Sequence, residues 1–127
     1  MGTKNFSSQE FACPCGCPEN HIKLELLYKL QRVRDYLDKD DKMIITSGYR
    51  CLEYNRSPII GSTDTSSHPK GLAADIDVQD NGKAFRIQQA VFQTGAFTRI
   101  GFGKMNGKNT LHLDTDDSKI QERLWGY

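Results

Sequence analysis

Ser66-Ser67-His68-Pro69-Lys70-Gly71-Leu72-Ala73-Ala74-Asp75-Ile76-Asp77-Val78 is the stretch on which the reading of this chain turns. Pro69 and Gly71 mark a loop, and from Leu72 onward the residues alternate with the period of a strand. Leu72, Ala74, Ile76 and Val78 fall on one face, and Ala73, Asp75 and Asp77 on the other, so two carboxylates share a face. His68 precedes the strand on the loop, and a turn there can aim His68 and Asp75 at one point. His112 sits on a later expected strand. Two imidazoles and a carboxylate make a three-ligand zinc site that leaves room for water, which is the arrangement of catalytic zinc. Spacing alone leaves the alternative open, since histidines on loops and strands also serve as ordinary hydrogen-bonding residues.

Outward from this stretch, helical and extended patterns alternate. Upstream, Met43-Ile44-Ile45-Thr46 reads as a short buried strand ending at Ser47-Gly48. Before it, Ile22, Leu26, Leu27, Leu30, Val33 and Leu37 recur at helical spacing, which predicts a helix over about residues 21–37 with Asn20 as its N-cap. Ser7-Ser8-Gln9-Glu10 has the capping-box pattern of a short opening helical turn. Residues 51–67 hold Pro58, Gly61 and a Ser/Thr/Asp run without a lasting period, and read as a long, functional surface loop. Downstream, residues 83–94 read as a second amphipathic helix ending before Gly95. Phe97 to Phe102 and Thr110 to Thr115 then read as strands joined across Asn106-Gly107. The expected architecture is α+β: two main helices on a small, mostly antiparallel sheet, with Asp75 and His112 side by side.

With 127 residues the chain suits one domain, spanning 1–127. Its 17 Lys+Arg balance 16 Asp+Glu, which leaves no basic stripe for nucleic acid. Apolar runs such as Met43-Ile44-Ile45 fall far short of the roughly 18 residues of a membrane span. No signal peptide is visible at Met1-Gly2-Thr3-Lys4-Asn5-Phe6. Three cysteines are packed into Cys13-Pro14-Cys15-Gly16-Cys17, with the fourth at Cys51. A disulfide from the cluster to Cys51, free thiols, or a second metal held by thiolates all fit this spacing.

Ser47-Gly48-Tyr49-Arg50, Asn55, the His68-to-Asp75 element, Gly101-Phe102-Gly103 and Leu111-His112-Leu113-Asp114 together resemble the M15 peptidases, zinc D-Ala-D-Ala carboxypeptidases and peptidoglycan endopeptidases. The resemblance runs over nearly the whole chain. It is nearest to small single-domain members from phages and bacteria, which open with a segment like Phe6-Ser7-Ser8-Gln9-Glu10-Phe11-Ala12-Cys13. It implies a Hedgehog/DD-peptidase-like fold, with His68, Asp75 and His112 as ligands of one catalytic zinc. It makes Arg50 the cation that holds a substrate carboxylate or helps polarise the scissile carbonyl, a use that suits a planar guanidinium. Ser67 becomes a donor to bound peptide, or else a loop cap.

Many M15 carboxypeptidases place a carboxylate base three residues before the last histidine, where this chain has Asn109. Asp114, two residues after His112 on the same strand face, is the substitute: it takes the proton from the attacking water, or it steadies the His112 ring. Asp77 is either a neighbour of the site or a solvated strand residue, and His21 is structural or exposed. Trp125 and Tyr127 either pack on the core or form a stacking edge. The resulting expectation is zinc-dependent cleavage of a peptidoglycan stem or cross-bridge bond next to a D-amino acid. The protein would be cytoplasmic until release, or phage-associated, and would act on the cell wall. Asn109 supports the alternative, a non-catalytic zinc-containing module of a cell-wall-binding or phage-tail kind. Carboxypeptidase against endopeptidase action and the oligomeric state are left open.

Overall fold

A computed structural model describes residues 1–127. Three helices, α1 (Leu24–Tyr36), α2 (Leu52–Arg56) and α3 (Asn81–Thr94), accompany five strands. These are β1 (Ile44–Ser47), β2 (Ala73–Asp77), β3 (Arg99–Met105), β4 (Lys108–Asp114) and β5 (Arg123–Gly126). They form one sheet in the order β1-β2-β4-β3-β5, antiparallel throughout except for the parallel β3–β5 pair. No helix is long and apolar enough to cross a membrane.

Strand alternation divides the sheet into two faces with different work. Ala74, Ile76 and Val78, with Leu111 and Leu113 from β4 and Ile100 from β3, are buried in one core with Leu26, Leu27, Leu30 and Val33 of α1 and Ile87, Ala90 and Val91 of α3. This apolar layer supplies most of the driving force for folding, at roughly 25 cal/mol per Å² of apolar surface removed from water. The other face carries Asp75, Thr110, His112 and Asp114, with α1 and α3 both on the core side, away from it. The hairpin between β3 and β4 turns at Asn106-Gly107, both residues at positive φ (53° and 76°), as a two-residue type I′ connection requires.

Three expectations need correction. The first helix starts at Leu24, three residues later than its apolar pattern suggests, because Lys23 is held extended (φ −87°, ψ 136°) with its amide donating to Gly71 O (3.0 Å). Asn20 Oδ1 accepts from the Ile22 amide (3.3 Å) ahead of the helix, and its Nδ2 donates to Ser8 O (2.8 Å). Residues 51–67 are not one irregular loop: α2 lies inside them, too short for a 3.6-residue period to show. The rest of that segment is fastened by Asn55 Nδ2 donating to Thr63 O (2.9 Å) and by a two-pronged Arg56–Asp64 pair (2.7 and 2.8 Å). Finally, residues 123–126 add a fifth strand. Gly101 makes it possible, since a Cβ there would stand 2.8 Å from the Trp125 indole.

Candidate metal centre

The site is assembled by sheet register. Asp75 on β2 is paired directly with His112 on β4 and lies beside Ser47 of β1. Cross-strand partners bring side chains of the same face within about 5.5 Å at Cβ, and the Asp75 Oδ1 to His112 Nδ1 distance is 2.9 Å. His68 arrives from a helical turn, His68–Lys70, closed by Gly71 at φ +73°. A Cβ at Gly71 would stand 1.9 Å from His21 O, so this position demands glycine for both space and backbone angle.

Each donor is held from behind. Nδ1 of His68 lies 2.7 Å from Gly48 O, which fixes the proton there and leaves Nε2 free, 3.3 Å from Asp75 Oδ2. Nε2 of His112 lies 2.8 Å from Asp114 Oδ2, which leaves Nδ1 directed at Asp75. His68, Asp75 and His112 each offer a ligand atom within 4.8 Å of the others. Two imidazole nitrogens and one carboxylate oxygen, with both rings oriented by oxygen acceptors on their far nitrogens, form a donor set that fits zinc with an open position.

The charges around this set are tightly coupled. Burial pushes the Asp75 carboxyl upward, but His68 and His112 pull harder, so it lies well below the usual carboxylate range. Burial lowers His112, and its hydrogen bonds to Asp114 and Asp75 overcome that, raising it to about 9. Asp114 is likewise held low by His112 against the cost of burial. Its Oδ1 accepts from Arg99 Nε (2.9 Å) and from the Asp116 amide (3.1 Å), so both oxygens are engaged. Arg50 is buried, and donates from Nη2 to Asp75 Oδ2 (3.1 Å), from Nη1 to Asn55 Oδ1 (3.2 Å) and from Nε to Ser47 Oγ (3.0 Å). Burial lowers this guanidinium from its ordinary value, and Asp75 offsets part of that.

Two cavities meet at the site. One, of about 260 Å³, is lined by His68, His112, Arg99, Lys119, Trp125 and others. A second, of about 290 Å³, is lined by Tyr54, Ile59, Lys108 and others, and the two share Arg50, Asp75 and Met105. Trp125 stands at the wall of the first, 5.6 Å from the His112 ring between centroids, with the Arg99 guanidinium 5.0 Å from its own centroid. Ser67 is buried and donates to Asp116 Oδ2 (2.8 Å), and Lys70 Nζ donates to the same oxygen (3.0 Å). Asp116 thereby ties the His68 turn to the segment after β4. Asp77 accepts from the Gln79 amide (2.9 Å) in the turn after β2. His21 is exposed and packs edge-on against Tyr49. Asn109 is an odd number of residues from His112, so its side chain belongs to the opposite sheet face, where it reaches Gln79 O (3.4 Å).

Sequence reasoning did not single out Arg99 or Asp116. Asp116 had a visible signal, the His-x-Asp-x-Asp spacing of residues 112–116, whereas Arg99 is set beside Asp114 by the antiparallel β3–β4 register, in which Ile100 pairs with Leu113, and no local spacing announces that. No curated protein matches the chain. A family model described as Peptidase M15 matches residues 4–114, a span that takes in β1 to β4 and the turn that carries His68, and so Asp75, His68 and His112. A match of that extent, over a sheet whose register sets Asp75 against His112, makes the chain a member of the Peptidase M15 family, whose peptidases use zinc.

Proposed function

We propose that the chain hydrolyses a peptide bond next to a D-amino acid in peptidoglycan stem or cross-bridge peptides, and that it cuts within the peptide rather than trimming its end. The observation that carries this reading is that the cavity lined by His68, Asp75 and His112 adjoins a second one, with Arg50 and Asp75 lining both. A cleft with space on both sides suits a substrate that continues past the scissile bond. Its wall holds Arg50, Arg99 and Lys119 on one side and Lys108 on the other, which suits the carboxylates of wall peptides.

Zinc bound there supplies a Lewis acid that polarises the scissile carbonyl and acidifies a water. His68 offers Nε2, with its Nδ1 proton fixed on Gly48 O, and His112 offers Nδ1. Asp114 keeps the proton on Nε2 of His112 and so holds the ring in its ligating tautomer. Its engaged oxygens favour this orienting role over that of a free base. Arg50 sets a fixed positive charge beside Asp75, where it receives a substrate carboxylate or the charge growing on the carbonyl oxygen. Trp125 gives the cleft an apolar wall. Asn109 lies on the other face of the sheet, with Nδ2 donating to Gln79 O (3.4 Å), and takes no part at the donor cluster.

Digestion of purified peptidoglycan, with product masses read by liquid chromatography and mass spectrometry, tests the reading. Chelator-sensitive conversion of cross-linked muropeptides to smaller ones is expected. Loss of only a terminal D-alanine would overturn the internal cut, and an absence of products from zinc-loaded protein would overturn the peptidase.

A further inference from the structure

We infer that Cys13, Cys15, Cys17 and Cys51 form a second zinc site, structural in kind, that fastens the N-terminal segment to the chain beside Arg50. The sulfurs of Cys13, Cys15 and Cys51 form a nearly equilateral triangle, with separations of 3.4, 3.6 and 3.8 Å. The Cys17 sulfur completes a group in which all four lie within 4.8 Å of one another. A tetrahedral ion with zinc–sulfur bonds of about 2.3 Å sets its sulfurs about 3.8 Å apart, so the triangle matches one face of that tetrahedron. A disulfide would pair two sulfurs and set the third apart, whereas these are nearly equidistant and all four cysteines are free.

The backbone around the cluster supports three of the four sulfurs as thiolates, while Cys17 Sγ lies against Glu19 O (3.8 Å). The Cys17 amide donates to Cys15 Sγ, the Cys51 amide to Cys13 Sγ and the Tyr54 amide to Cys51 Sγ, each at 3.4 Å. Such donors stabilise sulfur that carries negative charge. A turn closed by Gly16 N donating to Cys13 O (3.2 Å) folds the Cys-x-Cys-x-Cys segment back on itself and brings its sulfurs together. Four soft thiolate donors select a thiophilic ion. A closed set with no position for water is structural, in contrast to the two-imidazole, one-carboxylate set on the sheet.

The position of the cluster gives it a task. Cys51 directly follows Arg50, and α2, which begins at the next residue, carries the Asn55 that accepts from Arg50 Nη1. Pro14, between two of the cysteines, lines the second cavity with Tyr54 and Ile59. An ion held by the four sulfurs braces this wall of the cleft and the arginine beside it.

The test is metal content of the full chain, purified under reducing conditions and read by mass spectrometry of the elements. It is independent of which bond the protein cuts, or whether it cuts one. A His68→Ala/His112→Ala variant should keep one zinc per chain, and Cys15→Ser or Cys17→Ser introduced into it should abolish that zinc. Cobalt substitution of the otherwise unchanged chain provides a second reading that needs no cysteine variant to fold. Intense thiolate-to-cobalt charge-transfer absorption is expected, and it should persist in the double histidine variant. A double histidine variant without metal, four alkylatable thiols in the zinc-loaded protein, a native mass showing a disulfide, or iron in place of zinc would each overturn the proposal.

Discussion

Arg50 stands between two donor clusters built in different ways. On one side, His68, Asp75 and His112 are set by paired strands and a helical turn, and both rings are held at their far nitrogens by oxygen acceptors. On the other, four cysteines are gathered by a tight turn and the start of α2, with backbone amides donating to the Cys13, Cys15 and Cys51 sulfurs and Glu19 O beside that of Cys17. The first opens onto a cleft lined with cations, and the second is closed by its own four sulfurs. Mixed nitrogen and oxygen donors with a vacancy suit chemistry, whereas a complete thiolate set suits holding two pieces of chain together.

The largest effect expected at the sheet cluster comes from removing a donor. Asp75→Ala or His112→Ala should lower peptide hydrolysis by about 10³-fold or more, as loss of several kcal/mol of stabilisation demands. Retention of near-normal turnover would break the contrast between the two clusters. Arg50→Ala is expected to cost about 10²–10³-fold in kcat/KM, in line with removal of one fixed donor from an oxyanion site. Steady-state kinetics would show whether the loss falls on kcat, as carbonyl stabilisation requires, or on KM, as carboxylate capture requires.

Asp114→Asn tests the support behind the ring and should weaken zinc binding or activity by about 10–100-fold. A bell-shaped pH profile that loses its acid limb in this variant, with zinc affinity unchanged, would instead make Asp114 the base. The smallest effects belong to the tie between the His68 turn and the segment after β4. Ser67→Ala should cost about 1 kcal/mol of stability, measured by denaturant unfolding, with KM unchanged because its hydroxyl is spent on Asp116. A raised KM would return Ser67 to substrate binding.

The same tie predicts a pH dependence of stability. Burial raises the Asp116 carboxyl, but hydrogen bonds from Ser118, Lys70 and Ser67 outweigh it and leave the group below its ordinary range. A depressed folded-state pKa means that the stabilisation is fully present above the unfolded value, about 4, and is lost as pH falls through the folded one. Asp116→Asn should therefore flatten the acid limb of a stability-against-pH curve. An unchanged limb would show that Asp116 contributes nothing to it.

What could be read in the residues, and what could not, divides by the range of the interaction that decides it. The period-two pattern of residues 72–78 set Asp75 opposite the core, and Asn106-Gly107 announced the hairpin that carries His112. Both signals are local. The start of α1 depended on Gly71, far along the chain, taking the Lys23 amide, and β5 depended on glycine at position 101 making room for Trp125. Asp114 was legible as a neighbour of His112, but its orienting geometry depends on Arg99 and the Asp116 amide, which only the folded sheet brings to it. The cysteine spacing left several pairings open, because their relative distances are fixed by where residue 51 meets the N-terminal segment.

The central claim is tested most directly by titrating zinc into metal-free protein while following hydrolysis of purified peptidoglycan, with His112→Ala in parallel. The account predicts turnover that rises with zinc occupancy in the unaltered chain and is absent in the variant at every zinc concentration. Equal turnover in the variant, or none in the fully zinc-loaded unaltered chain, would contradict it.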